Sequence, residues 1–356
     1  TPIKSSAASD VYKRQTVTVE IEEIKESMTK SLEIRGISGE YADFMVSDYL
    51  ESELEGHKTH GISKFLTVDA GLSRRKGDMK LVRKTGCYAQ IDGNGELGHI
   101  GALYGTNLAI EAAKEYGVGI VALKNVSRYS RVTPYARKIA QEGLVGMITN
   151  NGGPACVAPF GGARGIFGTN PLCFSFPSGR GKPYIFDFAT SQKVWGEVRQ
   201  AMVEHRPLPE NAFIDKEGKF TTDPKQAEAG VPFGGPKGYA LCYALENLTG
   251  AFVGAKMGKD GKDEYDLGYL FLAFSTEMFT DLQDFEEQVD HLAEEVRACP
   301  PIKPGGQVYV PGEIFGNKPV SERNQDFIEL EEDVYQRLKR MSVSLEGGYE
   351  NNRLLN

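Results

Sequence analysis

The chain has 356 residues, of which 40% are hydrophobic and 25% are charged, and its formal net charge is −8. This composition is typical of a globular protein that buries a sizeable core in two domains, and it excludes collagen-like, coiled-coil and largely disordered chains. The negative charge argues against nucleic acid or an anionic membrane surface as a partner, and no apolar run reaches the roughly 18 residues of a membrane-spanning helix.

Five cysteines and five histidines limit two further kinds of chemistry. The cysteines are scattered and form no C-x-x-C pair, which is typical of a reducing cytoplasm and not of a secreted disulfide framework. His57 and His60 are three residues apart, but no third ligand is near them in the sequence. We therefore expect a cytoplasmic protein without a metal site.

The opening residues, TPIKSSAASDVYKRQ, differ from everything that follows. They have neither the apolar core of a secretory signal nor the periodicity of the helix predicted after them. We expect residues 1–15 to be a non-native leader that resembles a translated adaptor, and the fold prediction starts at Thr16.

Hydrophobic periodicity predicts alternating helices and strands along the rest of the chain. Two helices come first, one over residues 20–34 that ends at Gly36 and one that follows an N-cap at Ser38. Later helices are predicted at 99–116, 133–142, 284–298 and 331–341, and strands at 119–123, 145–148, 172–176, 184–188, 267–275 and 307–310. This mixture predicts an α/β fold, with a mixed sheet and flanking helices over residues 76–324 and a helical domain formed by 16–75 with 325–356.

A hydroxyl, an imidazole and a cation share the short stretch GHKTHGISKF, residues 56–65. Thr59, His60 and Lys64 supply these groups. The unperturbed histidine pKa of about 6.5 suits proton transfer near neutral pH. The competing interpretation is a structural histidine, which is the commoner role for a single histidine in a sequence.

Residues 150–191 contain two short apolar runs bracketed by glycines and small polar residues. The runs, 172–176 and 184–188, are typical of buried strands. The polar residues Thr169, Asn170 and Asp187 lie at the ends of these runs, where loops on a rigid scaffold carry function. Ordinary Gly/Pro turns would give the same pattern, so both interpretations stay open.

Two glycine-rich stretches precede predicted helices. GNGELG, residues 93–98, matches the dinucleotide-binding G-x-G-x-x-G pattern, but the next strand ends in Lys124 and Asn125 where that fold has an acid for the ribose. We therefore interpret it as a tight turn. PFGGPKG, residues 232–238, enters an apolar helix whose N-terminus suits an anion with help from Lys237, or is simply the entry turn of a buried helix.

Six short motifs occur in an order that resembles one enzyme family: THG at 59–61, APFGG at 158–162, GTNP at 168–171, FDFATS at 186–191, PFGGPKGYAL at 232–241 and VPGE at 310–313. From Thr16 to Met341 the chain resembles the malate/L-lactate dehydrogenase family of the second type, which includes sulfolactate and ureidoglycolate dehydrogenases. The resemblance implies a non-Rossmann nucleotide-binding fold, a homodimer, and NAD or NADP as cofactor. It also implies hydride transfer between the nicotinamide and C2 of a small 2-oxo or 2-hydroxy acid.

The resemblance further implies roles for individual residues. His60 matches the proton-transfer histidine, Asp187 matches its relay carboxylate, and Thr59 stands where serine is usual. Lys64 and Thr169 match positions that contact the substrate. The positions that match cofactor contacts are Asn151, Asp187, Phe188, Ala189, Lys237, Gly238, Gly312 and Glu313.

Two departures from the family pattern concern the substrate. Lys64 places a point charge where a planar, bidentate arginine is usual. Arg128 stands where members usually carry a histidine, and a guanidinium cannot act as a general base at neutral pH. We expect Arg128 to bind a substrate carboxylate or a cofactor phosphate, with Arg131 sharing that work, unless it is only a surface arginine. The alternative functions are a cyclic 2-imino acid reductase and a catalytically silent relative that binds a nucleotide or metabolite.

Overall fold

The computed structural model describes residues 15–261, 267–315, 318–319 and 326–345, with the backbone alone for 314, 315, 318 and 319. Within these ranges the helices are α1 (Ile21–Ile34), α2 (Glu40–Leu54), α3 (Ile62–Phe65), α4 (Val68–Leu72), α5 (Gly98–Tyr116), α6 (Thr133–Gln141), α7 (Trp195–Glu204), α8 (Pro236–Thr249), α9 (Leu282–Ala298) and α10 (Glu332–Met341). The strands are β1 (Thr16–Glu20), β2 (Lys80–Thr85), β3 (Tyr88–Glu96), β4 (Val118–Val126), β5 (Leu144–Asn150), β6 (Leu172–Phe176), β7 (Tyr184–Phe188), β8 (Phe213–Ile214), β9 (Ala229–Gly230), β10 (Gly268–Ser275), β11 (Ile314–Phe315), β12 (Lys318–Pro319) and β13 (Phe327–Glu331).

A seven-stranded mixed sheet, in the order β2-β3-β4-β10-β5-β6-β7, forms the centre of the molecule. The neighbours β3 and β4 run parallel, with α5 as their crossover, and the other neighbouring pairs run antiparallel. Helices α5 and α6 pack against the sheet, and their cluster buries Ile91, Leu123, Ile148 and Phe271 completely. The predicted α/β class, a mixed sheet with flanking helices, is confirmed.

The two apolar runs of the central stretch form adjacent antiparallel strands, β6 and β7, with the predicted bounds. The prediction of two buried strands holds for β6 alone. Because β7 lies at the edge of the sheet, its last residues, Asp187 and Phe188, are exposed. The strand predicted at residues 307–310 is wrong, since these residues form a loop before a turn at Gly312.

A second apolar cluster joins the two ends of the described chain. Helices α1 and α10 pack together, burying Met28 and Leu338, and β1 pairs antiparallel with β13 so that Thr16 lies opposite Glu331. This two-stranded pairing was not predicted for the helical domain. Residues 1–14, from the expected leader, and residues 320–325 and 346–356 lie outside the described residues.

The GNGELG stretch is a β-bulge near the end of β3, so the predicted tight turn is wrong. Asn94 and Gly95 have φ values of 51° and 84°, and the pairing with β4 is irregular there. The Glu96 carboxylate accepts the next backbone N–H at 2.9 Å, and the Gly98 N–H donates to the Ser127 hydroxyl at 3.0 Å. Protein groups thus occupy two of the N–H donors at the start of α5 that a pyrophosphate would need.

Candidate active site

The backbone around His60 is held from two sides. His60 ends a short 3₁₀ turn between α2 and α3. Near the end of α2, the Glu53 carboxylate accepts the Ile62 N–H at 2.9 Å, and from another loop the Ser130 hydroxyl donates to the His60 carbonyl oxygen at 2.6 Å. A Cβ at Gly61 would lie 2.1 Å from the Glu53 carboxylate, so this close approach requires glycine.

The half-buried His60 imidazole lies among positive charges. Burial is the largest cause that lowers the His60 pKa to about 4, and the charges of Arg128, His57 and Lys64 contribute in the same direction. The Asp48 carboxylate opposes them. His60 is therefore neutral at pH 7. An anion that binds beside these cations would raise the pKa of the imidazole toward the range useful for proton donation.

Thr59 lies between His60 and helix α7, which follows β7 in the chain. Its hydroxyl oxygen is 3.0 Å from His60 Nδ1, a hydrogen-bonding distance in which the donor depends on the histidine tautomer. Its Cγ2 lies 3.6 Å from the position that a Cβ would take at Gly196, near the start of α7. The Thr59 side chain is therefore close enough to orient the imidazole.

Arg128 and Thr169 both contact the glycine loop that follows β5. A Cβ placed on Gly153 would lie 3.5 Å from Arg128 Nη1 and 3.6 Å from Arg128 Cζ, so the guanidinium packs against that glycine. A Cβ at Gly152 would lie 2.4 Å from Thr169 Oγ1. The structure thus brings together three residues that the sequence places far apart, since Arg128 is also close enough to lower the pKa of His60.

Asp187, at the end of β7, caps the first turn of α6. Its Oδ2 accepts hydrogen bonds from the Val132 N–H at 3.2 Å, the Thr133 N–H at 3.1 Å and the Thr133 hydroxyl at 2.9 Å. Burial nevertheless raises the pKa of this carboxyl group. The Asp187 residue nevertheless keeps solvent-accessible surface at the edge of the sheet. Among the hydrogen bonds of the described residues none joins Asp187 to His60, so the relay stays a prediction.

The segments that resemble cofactor-contacting positions converge on β7. The Phe233 N–H donates to the Thr190 carbonyl at 3.0 Å, and the rings of Phe188 and Phe233 lie edge to face at 6.0 Å. A Cβ at Gly312 would lie 2.2 Å from the Ile185 carbonyl oxygen, so this turn packs directly on the strand. The same segments carry Ala189, Lys237, Gly238 and Glu313.

The N-terminus of α8 has the chemistry of a phosphate site. Helix α8 begins at Pro236 after Gly235, whose φ is 62°. Within the described chain, no hydrogen bond uses the N–H groups of Lys237 and Gly238. A Cβ at Gly238 would lie 1.7 Å from the Phe233 carbonyl oxygen, so glycine is required there. Open N–H donors, the helix dipole and an exposed lysine favour a bound phosphate.

Two more of the expected cofactor residues have side chains that are hydrogen-bonded to other parts of the protein. Asn151 is buried, its Oδ1 accepts the Gly268 N–H at 2.7 Å, and its Nδ2 donates to the Lys256 carbonyl at 2.8 Å. Glu313 Oε1 accepts a hydrogen bond from Arg297 Nε at 2.8 Å, within an ion pair. Both side chains fix loops near the site, and their contact with a cofactor stays a prediction.

Arg131 does not share the surroundings of Arg128. Its Nε donates to Asp48 Oδ1 at 2.8 Å, its Nη2 donates to Glu51 Oε2 at 2.6 Å, and its Nη1 pairs with Glu55. Since each nitrogen already donates to a carboxylate, Arg131 is not placed to share ligand binding, contrary to expectation. The signal that could have found this role is the spacing of 48, 51 and 55, which puts three carboxylates on one face of a helix.

Other kinds of site find little support in the described residues. In these ranges no group of three or more His, Cys, Asp or Glu side chains is placed to hold a metal ion. All five cysteines are free thiols. None of the described helices is long and apolar enough to cross a membrane.

Comparison with known proteins identifies relatives of this chain. Residues 19–339 match the family described as malate/L-lactate dehydrogenase. The chain is 33% identical over 321 residues to the L-sulfolactate dehydrogenase of Methanocaldococcus jannaschii, covering 87% of this chain and 92% of that protein. It is 28% identical over 316 residues to the ureidoglycolate dehydrogenase (NAD(+)) of Escherichia coli K12, covering 85% and 89%.

The fold comparison agrees with the sequence comparison. The crystal structure of malate dehydrogenase from Entamoeba histolytica superposes with a TM-score of 0.84 at 28% identity, covering 92% of this chain and 98% of that one. The sequence match runs from β1 into α10 and includes every motif that carried the resemblance. The chain belongs to the malate/L-lactate dehydrogenase family.

Proposed function

We propose that the protein is an NAD(P)-dependent oxidoreductase that transfers a hydride between the nicotinamide and C2 of a small 2-oxo or 2-hydroxy acid. The family gives the class of reaction, and the relatives named above are dehydrogenases of sulfolactate, ureidoglycolate and malate. The observation that carries the proposal is a neutral His60 imidazole whose pKa is lowered by burial and by the charges of Arg128 and Lys64. This arrangement suits an acid whose reacting carbon is next to a carboxylate.

In the direction of reduction, the substrate carboxylate binds to Arg128 and Lys64, and Thr169 contacts the substrate from the glycine loop. The bound negative charge offsets the cations around His60 and raises the pKa of its imidazole. His60 gives a proton to the carbonyl oxygen of the substrate, and a bound nicotinamide would supply the hydride to C2 that completes the 2-hydroxy acid. Asp187 and Thr59 orient the imidazole, and the resulting neutral histidine recovers its proton from solvent.

The residues around β7 fit a nicotinamide cofactor, which supplies the hydride when bound. Lys237 and Gly238, at the open N-terminus of α8, would hold a phosphate. Asp187, Phe188, Ala189, Asn151, Gly312 and Glu313 are the other proposed cofactor contacts. Support comes from the convergence of these segments on one strand and from the close approach of Gly312 to its backbone.

We further propose a homodimer that works in the cytoplasm and has two domains. Large apolar side chains such as Phe279, 91% exposed, and Phe252, 70% exposed, would be covered by a second copy. Five free thiols suit a reducing compartment. The separate apolar clusters of the sheet and of the chain ends support a division into residues 76–324 and 16–75 with 325–356.

The test is a panel of 2-oxo acids and cyclic imines with NADH and with NADPH, followed by the loss of absorbance of the reduced cofactor. Turnover of a 2-oxo acid supports the proposal, and the better cofactor distinguishes NAD from NADP. Turnover of cyclic imines alone makes the protein a 2-imino acid reductase, which the replacement of the usual histidine by Arg128 favours. Cofactor binding without any turnover would indicate the catalytically silent relative.

A further inference from the structure

The loop of residues 127–132, here called the arginine loop, carries or contacts three residues of the proposed site. Its Arg128 is close enough for its charge to lower the pKa of His60, and its Ser130 hydroxyl donates to the His60 carbonyl oxygen at 2.6 Å. At its end, the Val132 N–H donates to Asp187. The position of this loop therefore sets where three proposed site residues lie relative to one another.

Arg131 anchors the arginine loop to α2 through a set of three carboxylates, Asp48, Glu51 and Glu55, here called the carboxylate cage. The Arg131 residue is 9% exposed, Asp48 is 1% exposed and Glu55 is 4% exposed. Asp48 is fixed further, because its Oδ2 lies 3.1 Å from Nε2 of the buried His99 on α5. A buried arginine that pairs with three carboxylates at once needs its planar fork, which a lysine lacks.

We propose that Arg131 is a positioning residue for His60 and Arg128: the carboxylate cage locks the arginine loop onto α2, and Ser130 of the locked loop holds the His60 backbone. The chain path supports the proposal, since α2 leads within six residues of Leu54 to His60. Both segments that the cage joins therefore carry a site residue. The inference deepens the proposed function and adds a residue that does not itself touch the substrate.

A matched control is available on the outer side of the same cage. Arg137 on α6 also pairs with Glu51, through Nη1 at 2.7 Å and Nη2 at 2.6 Å. Its side chain is 30% exposed, and it lies on α6, outside the arginine loop. Arg131→Lys and Arg137→Lys therefore weaken the same ion network by the same chemical change, but only the first releases the arginine loop.

The first test measures the pKa of His60 by NMR of histidine-labelled protein, with His60→Gln to assign the signal. This readout does not depend on activity, so it separates the inference from the proposed function. Release of the loop moves the imidazole toward solvent and away from Arg128. We expect Arg131→Lys to raise the His60 pKa by about one unit or more, and Arg137→Lys to leave it unchanged.

The second test measures kcat and KM with the best substrate of the panel, beside the Kd for NADH or NADPH. We expect Arg131→Lys to lower kcat by about 10-fold to 100-fold with the cofactor Kd preserved, because proton transfer depends on alignment. Equal losses of kcat in Arg131→Lys and Arg137→Lys would mean that Arg131 only stabilises the fold, and this would contradict its role in positioning His60. An unchanged His60 pKa in Arg131→Lys would overturn the proposal.

Ser130→Ala covers the case in which Arg131→Lys does not fold. This variant keeps the carboxylate cage and removes only the hydrogen bond to the His60 carbonyl oxygen. We expect a His60 pKa that rises in the same direction by a smaller amount, with far-ultraviolet circular dichroism unchanged. A wild-type His60 pKa in folded Ser130→Ala would contradict the link between the loop and the imidazole.

Discussion

Two arginines three positions apart on one loop have opposite surroundings. The Arg128 guanidinium packs against Gly153 and lowers the pKa of His60. The Arg131 guanidinium is buried and pairs with three carboxylates of α2 and its C-terminal end. Burial of a charge is costly unless it is paired, so the inner position demands a full set of partners. The less buried position keeps a positive charge near His60.

Each region also favours the neutral form of one titratable group. Around His60, burial and nearby cations lower the pKa to about 4, so the imidazole is neutral. In the cage, burial and the neighbouring Glu51 raise the pKa of Glu55 to about 7, against the opposing charge of Arg131 and Arg137. The surroundings of His60 and the carboxylate cage differ in the sign of their excess charge. Around His60 the excess charge is positive, whereas in the cage protonation of Glu55 offsets the excess of carboxylates over arginines.

The largest effect on activity is expected in the proposed active site, for His60→Ala. A general acid typically contributes about 10²–10⁴-fold, so kcat should fall by that factor while the Kd for NADH or NADPH is preserved. His57→Ala is the control, because this neighbouring histidine is exposed, its charge also lowers the pKa of His60, and the substitution keeps its backbone carbonyl, which accepts the His60 N–H. A His60→Ala variant with near-normal kcat at pH 7 would remove His60 from the mechanism.

Arg131→Met tests the cage and should act on stability. Loss of one partner from a buried ion cluster leaves uncompensated charge and costs about 3–5 kcal/mol in the free energy of unfolding. Urea denaturation measures this change. Arg137→Met should cost less, because the Arg137 side chain is 30% exposed. A loss below about 1 kcal/mol for Arg131→Met would mean that the cage does not depend on Arg131.

Arg128→Ala should act on substrate binding and leave stability nearly unchanged. Hydrogen bonds to a charged group contribute about 1.5–3 kcal/mol, so we expect KM to rise by roughly 10-fold to 100-fold with a small change in kcat. Steady-state kinetics give both constants. A large fall in kcat at constant KM would contradict a binding role, and unchanged kinetics would make Arg128 a surface arginine.

Glu55→Gln should give the smallest effect, as a change in pH dependence. The Glu55 pKa is raised from 4.5 to about 7 in the folded protein, so its contribution to stability is present below pH 4.5 and is lost as the pH rises through 7. Glutamine keeps the shape and removes the titration. Relative to wild type, the variant should gain roughly 1–2 kcal/mol of unfolding free energy between pH 5 and pH 8. A constant difference across this range would contradict the raised pKa.

Elements with a strong local pattern were predictable from the sequence. Helix α1 and strands β6 and β7 lie where the apolar spacing puts them, because hydrophobic periodicity is a property of neighbouring residues. The pairing of β1 with β13 was not predictable in this way, since it joins Thr16 to Glu331 from opposite ends of the chain. Short strands of this kind are specified by their partner and not by their own pattern.

The proposed site divides in the same manner. The motifs pointed to His60, Thr169 and Asp187, which lie in the 3₁₀ turn before α3, in the loop before β6 and near the end of β7. The sequence did not distinguish Arg128 from Arg131, because the carboxylates that bury Arg131 are 76 to 83 residues away. Nor did it show that Asp187 caps α6, a contact across 54 residues to Thr133.

The most direct test of the central claim follows the hydride itself. The protein is incubated with NADH or NADPH deuterated at C4 of the nicotinamide and with the 2-oxo acid panel, and the products are analysed by mass spectrometry and NMR. We predict one deuterium at C2 of the 2-hydroxy acid, at a rate that falls strongly in His60→Ala. A protein that binds the reduced cofactor but places no deuterium at C2 of any acid would contradict the account.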